Sequence, residues 1–584
     1  MPPASPRRIV GARSAAATII AAAALASFPI VIALVRRDGA PIGADTPVYV
    51  WWARLVGAAG SATVSFRPGV PDVTEVIAKA FGLPETATVA GLGCAVIAIV
   101  GLAGSAVLRS GERGAVALLG LILTGLFGTY LAAGHLSNAV FAALFVLALA
   151  FLLDERRWGS VLAVGSVGAA GLAHPEFLWL AVAILGVAAA LAVSARHRRE
   201  ATSTAVVGLA GAGVTVLGLV AASAGGVAFD VPTSLDVFLL QTHQLDRLHQ
   251  LFRERFTPKV AGYALWAWLP LAAVAIPRLR GRLGRLLAAW SVVTVAGVIA
   301  GLVWRWFPPH RIVAFAFCLP LLAAIGLRVI GGRLPRLAMP IAATAVVAIS
   351  VSAIWLWVRA PRPYTDPAAA TAVAVAPTVA GTPGTVVVDL PSDRDATAVA
   401  VIRSLNLLRA AVPGDRVRDV MLRYPPPLDG DADAVSLWHA SEDAAVRAIT
   451  SGSATEIAAP TAPPPAPSLP VAGAFVAMVA WIVTCGVAGA GWCLAAGHRG
   501  VSLLERAAGT GLGGLILAGA MADRVGLRLG SRPVAIGIVA AVTGAGLFAA
   551  RVSERRNARL SVPGATTTRT TPESLPSSIA PSLP

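Results

Sequence analysis

Residues 136–199 read LSNAVFAALFVLALAFLLDERRWGSVLAVGSVGAAGLAHPEFLWLAVAILGVAAALAVSARHRR. Three apolar runs, 137–153, 159–173 and 175–193, are separated first by Asp154-Glu155-Arg156-Arg157 and then by the short turn His174-Pro175-Glu176. The third run ends in Arg196, Arg198 and Arg199. A helix rises 1.5 Å per residue, so about 20 apolar residues cross the roughly 30 Å hydrocarbon core of a bilayer. The pattern of arginine-rich links alternating with neutral or acidic turns is that of helices threading back and forth, with the basic links on the cytoplasmic side.

Extending the same criterion outward gives fourteen runs, near 15–35, 87–108, 114–133, 137–153, 159–173, 175–193, 204–224, 261–277, 286–304, 311–327, 337–357, 471–496, 504–522 and 533–550. Several are short, which sets the range at 12–14 spans. The expected fold is therefore an all-α polytopic membrane protein. Of the 584 residues, 56% are hydrophobic and only 13% charged, too few polar groups to cover a soluble protein of this size. The first run follows Arg7, Arg8 and Arg13, exceeds about 15 residues and lacks a small-residue cleavage site, so it reads as a retained span and not as a signal peptide.

The net charge of +17 would suggest nucleic acid in a soluble chain. With fourteen spans and both termini inside, the inner segments hold 24 arginines and 7 carboxylates, and the outer ones balance. The basic excess is thus topology, and no nucleic-acid partner is expected. Cys94, Cys318, Cys485 and Cys493 all lie within apolar runs and read as small buried residues, without metal spacing.

Three outer segments are longer than turns: 36–86, 225–260 and 358–470. The last opens on Pro361, Pro363 and Pro367, carries strand-like runs Thr385–Leu390 and Ala434–His439 around a helical pattern 396–411, and returns through the proline-rich 460–470. A small extracytoplasmic α/β domain is expected there. Three further spans follow within 471–550, and 551–584 has the Ser/Thr/Pro-rich composition of a disordered cytoplasmic tail.

Polar chemistry collects at the outer ends of the spans. Asp45 opens the aromatic stretch Thr46-Pro47-Val48-Tyr49-Val50-Trp51-Trp52, which suits a membrane interface, with a helix over Val48–Gly57. An acid at that depth can take a proton from an acceptor hydroxyl or amide. His135, in Ala133-Gly134-His135-Leu136-Ser137-Asn138, and His174 with Glu176 occupy two tight turns on the same side. In Trp304-Arg305-Trp306-Phe307-Pro308-Pro309-His310-Arg311, two arginines and a histidine share an aromatic turn suited to gripping a phosphate. No HExxH, phosphate-binding GxxxxGK[ST] loop or GxSxG elbow occurs in a fitting context, so neither a zinc site nor a nucleotide-driven pump is expected, and a divalent cation is the one cofactor left open.

The acid after the first span, the 133–138 hairpin, the His174-Pro175-Glu176 turn and the late outer domain together resemble the GT-C class of integral-membrane glycosyltransferases, over roughly residues 10–360. The resemblance implies that 1–357 is a catalytic module moving a sugar from a polyprenyl-phosphate carrier to a glycan, lipid or protein acceptor outside a bacterial plasma membrane. It makes Asp45 the catalytic base, or in oligosaccharyltransferases a ligand of a divalent cation. His135, His174, Glu176, Arg305, His310 and Arg311 are then the expected substrate-binding residues. The adjacent acidic pair of protein mannosyltransferases and the WWD signature of oligosaccharyltransferases are both absent. The rival expectation, a transporter or flippase of lipid-linked glycans, calls for charges at mid-depth in the spans, where this sequence carries almost none.

Overall fold

The computed structural model describes residues 6–36, 46–60, 67–108, 135–154, 156, 158–223, 262–303, 318–334, 336, 340, 344, 347, 351 and 471–560, with strand segments between 385 and 457. Its helices are α1 (Pro6–Arg36), α2 (Thr46–Ala59), α3 (Gly69–Phe81), α4 (Glu85–Leu108), α5 (Leu136–Leu152), α6 (Gly159–Ala173), α7 (Pro175–Ser194), α8 (Arg198–Ser223), α9 (Gly262–Ala275), α10 (Gly281–Val303), α11 (Cys318–Arg333), α12 (Val471–Ala495), α13 (Val501–Arg524) and α14 (Arg532–Leu560). Among the described residues seven helices are long and apolar enough to cross a membrane: Ala15–Val35, Glu85–Leu108, Pro175–Ser194, Arg198–Val220, Val471–Ala495, Val501–Arg524 and Arg532–Arg556. Leu136–Leu152, Gly159–Ala173 and Leu269–Arg278 are shorter apolar helices. The chain is a multi-pass helical membrane protein. The expected run 114–133 and most of 337–357 lie outside the described residues.

Helix boundaries follow local chemistry. His174 precedes a proline, which disfavours helical backbone, and it sits at φ −151°, ψ 84°, ending α6. Pro175 then opens α7, where its missing N–H removes no bond, and Glu176 in the first turn meets the positive end of the helix dipole. Gly82 ends α3 at φ 65°, a left-handed cap in which its N–H and that of Leu83 turn back to the Lys79 and Ala78 carbonyls.

α4 and α5 form the centre and are almost wholly enclosed, whereas α8 and α14 keep broad apolar faces outward, as lipid contact requires. α12 and α13 approach backbone to backbone at Gly489 and Gly511, each facing the other helix's carbonyl with no room for a Cβ. α13 also packs on α3, α4 and α6, so the last three helices share one core with the first half of the chain. The four cysteines are free and buried.

Strands β1 (Thr385–Val388), β2 (Val420–Leu422), β3 (Asp433–His439), β4 (Ala444–Thr450) and β5 (Ser453–Ile457) form one sheet in the order β2-β1-β3-β4-β5. β1 runs parallel to both β2 and β3, and β3-β4-β5 is an antiparallel meander. Parallel neighbours need crossover connections. The helical pattern at 396–411, which falls between β1 and β2 in sequence, lies outside the described residues.

Candidate active site

Within the outer segment 36–86 the described residues form two helices, the first covering the expected Val48–Gly57. α2 and α3 are folded into the core, and Tyr49, Trp51 and Trp52 are buried, with the Tyr49 and Trp52 rings edge to face at 5.3 Å. The aromatics pack inward because α2 is apolar around most of its circumference and finds partners in α3 and α4.

α2 and α3 are fastened to the two histidine turns. Tyr49 Oη accepts a hydrogen bond from the Ser137 backbone N–H at 3.0 Å, at the start of α5, two residues after His135. That N–H is one of the four that a helix start leaves without an internal partner. On the other side Arg67 Nη2 lies 3.3 Å from Glu176 Oε1. Gly69, which opens α3, rests on the backbone of Leu172 and Ala173, where an added Cβ would lie 2.8 Å from the Ala173 nitrogen. His174 is buried and stacked on Phe177 at 4.0 Å between ring centres, and Phe177 in turn meets the edge of Phe141 at 5.6 Å.

α3 brings ionisable groups into this packing. Asp72, Glu75 and Lys79, at i, i+3 and i+7, share one face of α3. Asp72 is fully buried, packs beside Gly519 of α13 and interacts electrostatically with Arg524, which also reaches the Gly218 carbonyl at 3.4 Å and Asp523 at 3.8 Å. Lys79 Nζ lies 2.8 Å from Glu85 and 3.4 Å from Glu75, while Arg54 Nε is 3.6 Å from Glu85. Glu75 is only 1% exposed, and Gly57 makes room for its carboxyl: a Cβ there would collide with Oε1.

Burial pushes Glu75 up from 4.5 to about 7, with Lys79 opposing and the Glu85 charge adding to the rise. For Lys79, burial pulls downward, but the hydrogen bond to Glu85 and the Glu75 charge outweigh it and hold the ammonium above its usual range. The group is therefore a half-buried cation shared between one ionised carboxylate and one buried carboxyl whose pKa lies near neutrality. Among the described residues no three His, Cys, Asp or Glu side chains are grouped to hold a metal ion.

No protein-family model and no curated protein matches the chain. The fold is similar to the crystal structure of ArnT from Cupriavidus metallidurans in the apo state, with a TM-score of 0.46 and 17% identity, covering 71% of this chain and 92% of that one. A second structure of the same protein, bound to undecaprenyl phosphate, gives a TM-score of 0.45 and 16% identity over 72% of this chain and 93% of its own.

Of the residues expected from the sequence, His135, His174 and Glu176 lie on turns tied to α2 and α3. Asp45, Arg305, His310 and Arg311 lie outside the described residues. Sequence reasoning passed over Arg67, Asp72, Glu75, Lys79, Glu85 and Arg524. The i, i+3, i+7 spacing of charge in Gly69–Phe81 was the available signal, since charges on one face of an otherwise apolar short helix ask for buried partners.

Proposed function

We propose that the chain is a membrane glycosyltransferase moving a sugar from a polyprenyl-phosphate carrier to an extracytoplasmic acceptor of a bacterial cell envelope. Both termini are then cytoplasmic and the His174 end of the bundle faces outward. The observation that carries this reading is the pair of contacts Tyr49 Oη to Ser137 N, 3.0 Å, and Arg67 to Glu176, 3.3 Å. They bring the described parts of the three short motifs behind the GT-C resemblance, 46–49, 135–138 and 174–176, to the same two helices, α2 and α3.

In this reading Asp45, the residue ahead of α2, takes the proton of the acceptor hydroxyl as the acceptor oxygen attacks the anomeric carbon. The bond from that carbon to the carrier phosphate breaks, and Arg305 and Arg311 stabilise the departing phosphate, with His310 beside them. Glu176, 41% exposed on its side chain, is open to sugar hydroxyls, with His135 on the neighbouring turn. His174 acts by holding its turn against Phe177.

Transfer of labelled sugar from polyprenyl-phosphate donors, in membranes carrying the wild type or Asp45→Asn at matched expression, tests the reading. Loss of an activity by about 10²–10⁴-fold in the variant is expected for removal of a general base. Full activity in Asp45→Asn removes the base, and carrier translocation without transfer by the wild type replaces the enzyme with a flippase.

A further inference from the structure

The opposite end of the bundle holds a second polar group that the proposed chemistry does not use. It joins three places far apart in sequence: Ser105 near the end of α4, Asp154 and Arg156 in the α5–α6 link, and His498, Ser502, Glu505 and Arg506 at the start of α13. The His498 side chain is 1% exposed, and its loop is shaped by Gly497 and Gly500 at φ 84° and 57°.

The direction of each hydrogen bond is fixed by donors that cannot accept. Arg506 Nη1 donates to Ser502 Oγ at 2.9 Å, which leaves the serine hydroxyl proton for His498 Nδ1 at 3.0 Å. Arg156 Nη1 also faces Nδ1, at 3.3 Å, and bonds the Gly497 carbonyl. With two donors aimed at Nδ1, the ring proton belongs on Nε2, which faces Asp154 Oδ2 at 3.4 Å.

We propose that His498 is a proton-operated clasp, in which the neutral Nε2–H imidazole fastens the α12–α13 hairpin to the α5–α6 link and a second proton, taken at Nδ1, releases it. That proton displaces the Ser502 bond and creates a cation facing Arg156 from the link and Arg506 from α13. The opposing charges are Asp154, already shared with Arg156 Nε at 3.4 Å, and Glu505, which accepts from Ser105 at 2.5 Å and lies 3.6 Å from Arg506. Phe151 covers the ring at 5.8 Å, and among the described residues the charges acting on the imidazole are Arg506, Asp154 and Arg156. Burial, then Arg506, with Arg156 adding and Asp154 opposing, lowers the imidazole from 6.5 to about 4.

Hydrogen exchange of the full-length protein in nanodiscs, between pH 7.5 and 4 and corrected for intrinsic rates, tests the clasp. In the wild type the peptides covering 151–160 and 494–503 are expected to open about tenfold more per pH unit below 6.5, while α2 and α3 do not follow. His498→Gln removes that acid-dependent rise, and Ser502→Ala, by removing a donor to Nδ1, makes the rise smaller and ends it at a higher pH. A wild type whose two links stay protected down to pH 4, or an equal rise in wild type and His498→Gln, overturns the proposal, and the wild-type arm decides even where a variant does not fold.

Discussion

The His174 and His498 ends are made from the same helices, since α4, α5 and α13 each contribute to both, yet the two ends titrate in opposite senses. At the His174 end a buried acid keeps its proton beyond its ordinary range, Glu75 at about 7 against 4.5. At the His498 end a buried base refuses one, His498 at about 4 against 6.5. Proton linkage gives the signs. The Glu75 contribution to stability is complete below pH 4.5 and lost as pH rises through 7, whereas the His498 contribution is present above 6.5 and lost as pH falls through 4. The polar contacts differ in kind as well. The His498 end is closed by bonds that lock helix to helix: Arg285 with Glu200, Arg282 with Ser203 at 2.8 Å, and Arg328 with the Leu108 carbonyl at 3.1 Å. The His174 end instead centres its charges on α3, whose Asp72, Glu75 and Lys79 meet Arg524 of α13 and Glu85 of α4.

Removing the buried acid tests this contrast most severely. Glu75→Gln should abolish the decline in thermal stability between pH 4.5 and 7, a contribution of at most ~3 kcal/mol, when melting of the purified protein is followed by tryptophan fluorescence. An unchanged pH profile would mean that Glu75 is not the group that titrates. Gly57→Ala pushes a methyl into the Glu75 carboxyl and should cost about 1–3 kcal/mol, with much of the loss recovered in the double variant with Glu75→Ala. Tyr49→Phe leaves the Ser137 N–H without its phenol partner, an expected loss of about 1 kcal/mol together with reduced transfer activity. Arg67→Ala should be smallest, about 0.2–1 kcal/mol in a double-mutant cycle with Glu176→Gln, because Glu176 is partly exposed and water screens the pair. A larger coupling would place that turn in a drier setting than its exposure indicates.

How far the sequence carried depended on the kind of signal. Seven of the span positions and the His174 turn were legible because apolar length and the His174-Pro175-Glu176 boundary are local. That Tyr49, Trp51 and Trp52 would pack inward was not legible, since aromatic composition suits an interface and a core equally and only the partners in α3 and α4 decide. The Asp72–Arg524 and Ser105–Glu505 relations span hundreds of residues and leave no trace in local pattern. Charge on one face of α3 was visible, but which helix would receive it was not.

The packing of α13 on α3, α4 and α6 has a consequence for the order of synthesis. A ribosome that has reached residue 470 has made every motif of the first half, while Glu505, Arg506 and Arg524 are still to come. Asp72 and Ser105 therefore meet Arg524 and Glu505 only after α13 has been made, so the packing around α3 and α4 is completed by the last helices of the chain.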